Sequence, residues 1–150
     1  MAELDEFGRQ LLQGARYGEI DEVQAALDNG CSVNSRGFGG ATGLHMASAN
    51  GHEDIVNLLI ERGSTVDETN DDGNTALHWG CLNSQIEVCR LLLKSGASPT
   101  TVNSSGRTPL DEALQSGNSD LVELVKSFGP SEPQQNGAEP EGEVPTENPS

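Results

Sequence analysis

The residues of this 150-residue chain best suited to hold a metal or run acid–base chemistry are its three histidines and three cysteines. His45 and His78 occupy the same place in two similar runs, Thr42-Gly43-Leu44-His45 and Thr75-Ala76-Leu77-His78. On neighbouring packed helices, equivalent residues lie about 8–10 Å apart. A shared zinc ion needs both nitrogens at about 2.0–2.1 Å from it, and two side chains pointing the same way do not converge, so a structural role is expected of both. His52 reads as a helix-start residue. Cys31, Cys81 and Cys89 show no metal-ligand spacing, and their odd number without a visible secretory signal suggests reduced thiols. They read as small core fillers, with redox sensing as the alternative: Cys89 stands where the preceding unit has Val56, and Cys81 where it has Ser48. Gly37-Phe38-Gly39-Gly40 is glycine-rich but lacks the lysine and the strand–helix context of a phosphate loop, so a loop tip is expected. No nucleophile–base pair and no paired carboxylates stand out. The sequence predicts neither an enzyme nor a resident cofactor or metal.

The elements that must position these residues follow from a fixed period. The Thr-x-Leu-His run at Thr42 recurs at Thr75 and, degraded to Thr108-Pro109-Leu110-Asp111, again at Thr108, each time 33 residues on. Self-similarity at one period is the mark of a stacked-repeat architecture. A longer helical stretch follows each run, Glu53–Arg62, then Ile86–Lys94, then Ser119–Lys126, and Ile20–Leu27 supplies a fourth copy upstream. In the first of these, Ile55, Val56, Leu58, Leu59 and Ile60 share a helical face. Gly30, Gly63 and Gly96 end the helices, with Gly129 closing the series, and Gly40, Gly73 and Gly106 suit tight turns two residues before each Thr. Thr42, Thr75 and Thr108 are the expected N-caps, and Pro109 fits the first helical position. The unit is therefore helix, short turn, helix, glycine stop and extended loop. Stacked units make a long surface suited to a partner, with no evident catalytic pocket.

Charge narrows the partners. A formal net charge of −16 with only 8 basic residues argues against nucleic acid, which binds through Lys and Arg on phosphates. The same field attracts a basic protein, or serves solubility alone. No apolar run approaches the roughly 18 residues that span a bilayer. Met1–Asp5 lacks a basic region followed by an apolar one, so a chain of the cytosol or nucleus is expected.

The 33-residue pattern resembles the ankyrin repeat over about residues 7–129. The resemblance implies an all-α solenoid of about four helix-turn-helix repeats with β-hairpin-like loops: residues 7–38 as an N-terminal cap, 39–71 and 72–104 well formed, and 105–129 as a C-terminal cap. Polar residues such as Glu112, Asp120 and Glu123 suit a final helix pair facing water. It implies that His45 and His78 bond to backbone groups of the adjoining loop. Residues 1–129 then form one domain, and 130–150, with five prolines, five glutamates and no basic residue, reads as a disordered acidic tail: a screening arm or a solubilising extension.

The fold implies a concave face built from the loop tips and the first helices. Its tips hold Phe38, Gly39 and Ala41, then Asp71, Asp72 and Asn74, then Ser104, Ser105 and Arg107. Its helices add Arg16 and Tyr17, Ala49 and Asn50, Leu82 and Asn83, and Gln115 and Ser116. Phe38 is either a partner anchor or tucked under its own loop. Trp79 is either core or a partly exposed anchor, and Asp71-Asp72 complements a basic client or simply forms a turn. The segments Leu44–His52 and Gly73–Asn83 look like the central repeats of the fungal ankyrin-repeat chaperones dedicated to small-subunit ribosomal protein S-three. That resemblance implies a monomer before client binding, whose acidic groove and tail shield a basic ribosomal protein; a regulatory adaptor or inhibitor is the alternative.

Overall fold

The computed structural model describes residues 5–129. The tail reading for 130–150 lies outside the described residues. Among the described residues eight α-helices follow one another in pairs: α1 (Glu6–Tyr17) with α2 (Ile20–Asp28), α3 (Gly43–Ala49) with α4 (Glu53–Glu61), α5 (Ala76–Leu82) with α6 (Ile86–Lys94), and α7 (Pro109–Ser116) with α8 (Ser119–Phe128). The first helices α1, α3, α5 and α7 pack side by side in one layer, and α2, α4, α6 and α8 form a second. This is the all-α solenoid that the 33-residue period predicts.

The core follows the same period. Ala26, Leu59, Leu92 and Val125 make one buried row through the second layer, and Ile55, Val88 and Leu121 make another. Each large aliphatic side chain withdrawn from water contributes about 1.5–3 kcal/mol, so the stack is held by contacts between units as much as within them. Where the two helices of a pair cross, only small residues fit: Gly14, Ala47, Gly80 and Ala113. A Cβ at Gly80 would come within 2.9 Å of Cys89 Sγ, and one at Gly14 within 2.8 Å of Val23 Cγ2. Among the described residues α8 is the last helix of the stack. Leu44 and Leu77 are buried, whereas the equivalent Leu110 is half-buried and Leu114 is 56 % exposed, because no further described unit covers them.

The loops are set by capping chemistry. Thr42, Thr75 and Thr108 each accept the N–H of the residue three positions on, as the sequence predicts for N-caps. Gly40, Gly73 and Gly106 all adopt φ of 76–78°, a region closed to most side chains, which explains their strict spacing. Gly30, Gly63 and Gly96 also take positive φ, of 94–97°, at the helix ends, but Gly129 does not: its φ is −73°, so it departs from the helix in extended conformation and is not the fourth member of that series. Ser84 takes the left-handed conformation (φ 57°) at the position held elsewhere by Gly18, Gly51 and Gly117, a strain of roughly 1 kcal/mol.

Candidate partner-binding face

His45 and His78 build the inner wall of this face. The Thr42 N–H donates to His45 Nδ1 at 3.1 Å, so Nδ1 must carry the lone pair and the proton sits on Nε2. Nε2–H then donates to the carbonyl of Asn74 in the next loop at 2.7 Å. His78 repeats this with Thr75 N–H (3.0 Å) and the Arg107 carbonyl (2.9 Å). Burial disfavours the charged ring and lowers both pKa values below 6.5. In the last unit Asp111 keeps half of this role: its carboxylate accepts the Thr108 N–H at 2.9 Å, and that bond holds its pKa low. His52 is the N-cap residue of α4, but its side chain makes no capping bond; its Nε2 reaches back to the Arg16 carbonyl at 3.1 Å. One unit later Gln85 reaches the Ala49 carbonyl in the same way, at 3.3 Å. A helix-start position is well placed to bond the end of the preceding first helix, which sequence spacing within one unit does not reveal. Among the described residues no group of three or more His, Cys, Asp or Glu side chains is arranged to hold a metal.

The tips hydrogen-bond to one another in a row. Asp71 N–H donates to the Gly39 carbonyl, and Ser104 N–H to the Asp72 carbonyl, both at 2.9 Å. Asn70 and Asn103 stiffen the second and third tips, since each side-chain oxygen accepts two N–H groups of its own turn. Gly37 stands at the equivalent place in the first tip and cannot do this. Arg36 fills the gap: it donates to the carbonyls of Gly40 and Thr69, each at 2.8 Å, and pairs with Glu68. A lone bridge between Arg36 and Thr42 is the only paired extended backbone among the described residues, so the loops are hairpin-like in shape without becoming strands.

On this frame the predicted site residues separate into two groups. Phe38 is 98 % exposed at the first tip, neither tucked under its loop nor supported by a neighbour, and Tyr17 and Leu82 are also exposed. Asp71 and Asp72 are exposed at the second tip, the Asp71 carboxylate lying beside Gly40 of the first. Trp79 is half-buried, its ring edge-on to His45 at 5.2 Å, so it bridges two units while leaving part of its surface open. The remaining side chains are committed to the fold. Asn50 and Asn83 donate to the carbonyls of Met46 (2.9 Å) and Trp79 (2.8 Å) at their helix ends. Asn74 accepts from Asn103 at 2.8 Å. Arg107 folds onto α7, with Nε 3.2 Å from Glu112 and a further bond to the Asp111 carbonyl. Glu112 therefore does not face water as expected for a terminal unit; it is 8 % exposed and paired, in the slot that holds Trp79 and Met46 earlier in the stack.

Charge on the face is uneven, with Asp71 and Asp72 exposed at its second tip. Acids cluster in the first turns of the second-layer helices, at Asp21, Glu22, Glu53, Asp54, Glu87 and Asp120, where the helix dipole favours them. The first-layer helices α3 and α5 carry no charged acid at all. At the N-terminal end of the face, Arg9, Gln13 and Arg16 lie along one side of α1 and enclose, with Leu12, Phe38 and Met46, a shallow hollow of about 200 Å³. Sequence reasoning placed Arg16 here but missed Arg9, Gln13 and Met46; the four-then-three spacing of 9, 13 and 16 along one helix face was the available signal.

Cys81 and Cys89 are buried with their sulfurs 3.8 Å apart, a meeting of α5 and α6 that their sequence positions conceal. Their mutual hydrogen bond and burial push the Cys81 thiol far above its usual pKa, which makes it a poor nucleophile. We expect iodoacetamide to label Cys31 in the native protein and to reach Cys81 and Cys89 only in denaturant, as read by mass spectrometry; rapid native labelling of either would contradict this packing.

Paired helices stacked in two layers, with tips that form a stiff row and an exposed aromatic, define a solenoid of the protein-binding class. Two family models for ankyrin repeats match the chain, one for three copies over residues 11–103 and one for many copies over residues 84–125. The chain belongs to the ankyrin-repeat family, whose repeats serve as protein–protein interaction modules. Comparison with curated proteins yields no significant match. No helix among the described residues is long and apolar enough to cross a membrane.

Proposed function

We propose that this chain is an adaptor that grips a partner protein across the tips and first helices, using apolar anchors set among mixed charges. The observation that carries this reading is Phe38, a fully exposed aromatic on a tip whose backbone is pinned to its neighbour. An anchor held on a rigid frame loses little entropy on binding, and aromatic residues dominate interface energetics. The fungal chaperone of a basic ribosomal protein is the second reading, favoured by the solvent-facing pair Asp71-Asp72 and by the net charge of −16. The two differ in salt dependence, because exposed charge pairs are screened over about 8 Å at physiological ionic strength. Affinity capture with the full chain at low and at high salt, with partners identified by mass spectrometry, separates them. The adaptor reading expects a partner retained in high salt. Recovery of one basic ribosomal protein, released by high salt and lost in the Asp71→Lys/Asp72→Lys variant, would establish the chaperone reading in its place.

A further inference from the structure

The third unit holds a pair of buried thiols that no other described unit has. Cys81 sits on α5 and Cys89 on α6, each fully enclosed, with their sulfurs 3.8 Å apart. One period earlier the same two positions hold Ser48 and Val56, two periods earlier Ala15 and Val23, and one period later Leu114 and Val122. Packing at this crossing therefore needs no sulfur, and a single cysteine would serve as a small core residue. Two in contact add a chemistry that one lacks, because a dithiol can lose two hydrogens and close into a disulfide. The helices approach closely enough for that bond. A Cβ at Gly80 would come within 2.9 Å of Cys89 Sγ, so with no side chain there the sulfur lies close against α5. Bond formation brings the sulfurs from 3.8 Å to about 2.05 Å. Among the described residues no third His, Cys, Asp or Glu joins the pair in a metal-binding group, and Cys31 belongs to the first unit.

We propose that Cys81 and Cys89 form a redox-modification site, at which a peroxide converts the dithiol to an intramolecular disulfide joining α5 to α6. The peroxide O–O bond breaks as one oxygen passes to a cysteine sulfur, giving a sulfenic acid, and the other oxygen leaves as water or an alcohol. The second cysteine sulfur then attacks the sulfenic sulfur; the S–S bond forms and the hydroxyl leaves with the remaining thiol proton as water. Two thiols are oxidised and one peroxide is reduced. Burial and the raised pKa of Cys81 slow the first step, but they do not change the product. Hydrogen peroxide is close to water in size and enters during local openings of the helix pair. The second sulfur already stands 3.8 Å away, so a sulfenic acid formed here meets its neighbour before it meets another oxidant. Trp79 and Leu82 stand on α5, and the bond therefore tethers the helix that carries two apolar side chains of the face.

The test is treatment of the folded full chain with excess hydrogen peroxide, removal of the peroxide with catalase, unfolding in urea, and a thiol count with mass spectrometry. The three thiols are expected to fall to one, without an intermolecular cross-link in a non-reducing gel. The peptide that contains Cys81 and Cys89 should be lighter by two hydrogens. Cleavage after Glu87, which lies between them, should leave its halves joined until dithiothreitol is added, and dithiothreitol should restore all the thiols. Cys31→Ser should behave alike, its two remaining thiols falling to none. Retention of all three thiols, sulfinic or sulfonic acid on Cys81 or Cys89, or a disulfide that involves Cys31 would each overturn the assignment. So would a Cys81–Cys89 bond that forms only after urea has unfolded the chain.

Discussion

His45→Ala is expected to lower the free energy of unfolding by about 3 kcal/mol, read from the midpoint of urea denaturation. The side chain is 1 % exposed and satisfies two backbone groups, the Thr42 N–H of its own cap and the Asn74 carbonyl of the next unit. Alanine leaves both without their partner, and each buried orphan costs about 1–3 kcal/mol. The edge contact to Trp79 is lost as well. His52→Ala is the control, since its single bond to Arg16 is exposed; it should cost no more than about 1 kcal/mol. A loss below about 1 kcal/mol for His45→Ala would mean that the histidine ladder does not couple the units.

The same geometry sets a pH dependence. His45 Nδ1 accepts a backbone N–H, so a protonated ring would place two donors face to face. The folded pKa values of His45 and His78 lie below 6.5, chiefly through burial. Below that pH the unfolded chain binds protons that the folded chain does not, so stability falls as pH falls through and below 6.5 and is fully present above it. Removing His45 should flatten part of that slope.

Phe38→Ala is expected to separate function from stability. The side chain is 98 % exposed, so unfolding should change by no more than about 0.5 kcal/mol. Loss of a central aromatic anchor typically costs about 2 kcal/mol of binding, roughly a 30-fold rise in Kd for the captured partner. Trp79→Ala should lower both quantities, because Trp79 is half-buried against His45. Unchanged affinity in Phe38→Ala would move the partner away from the first tip and towards Leu82 and the second tip.

The period of 33 residues was legible because every unit solves one packing problem with one set of residues. Thr at the cap, Gly where φ is positive and aliphatic side chains on one helical face are local requirements, and local requirements are written locally. The helix pairs and their threonine caps therefore followed from the sequence by itself, whereas the structure decided that Phe38 stands clear of its loop. Only the tertiary structure decided where side chains from different units meet. Arg107 looks available at a tip but bends onto Glu112; Arg36 looks incidental but replaces a missing asparagine; Cys81 and Cys89 touch across two helices. The charge of the whole chain does not say where its acids stand: six start the second-layer helices, two are exposed at the second tip, and Arg9 and Arg16 lie at one end of the face. Net charge sums over the sequence without regard to direction, whereas a partner meets only the charges that the packed helices turn towards it.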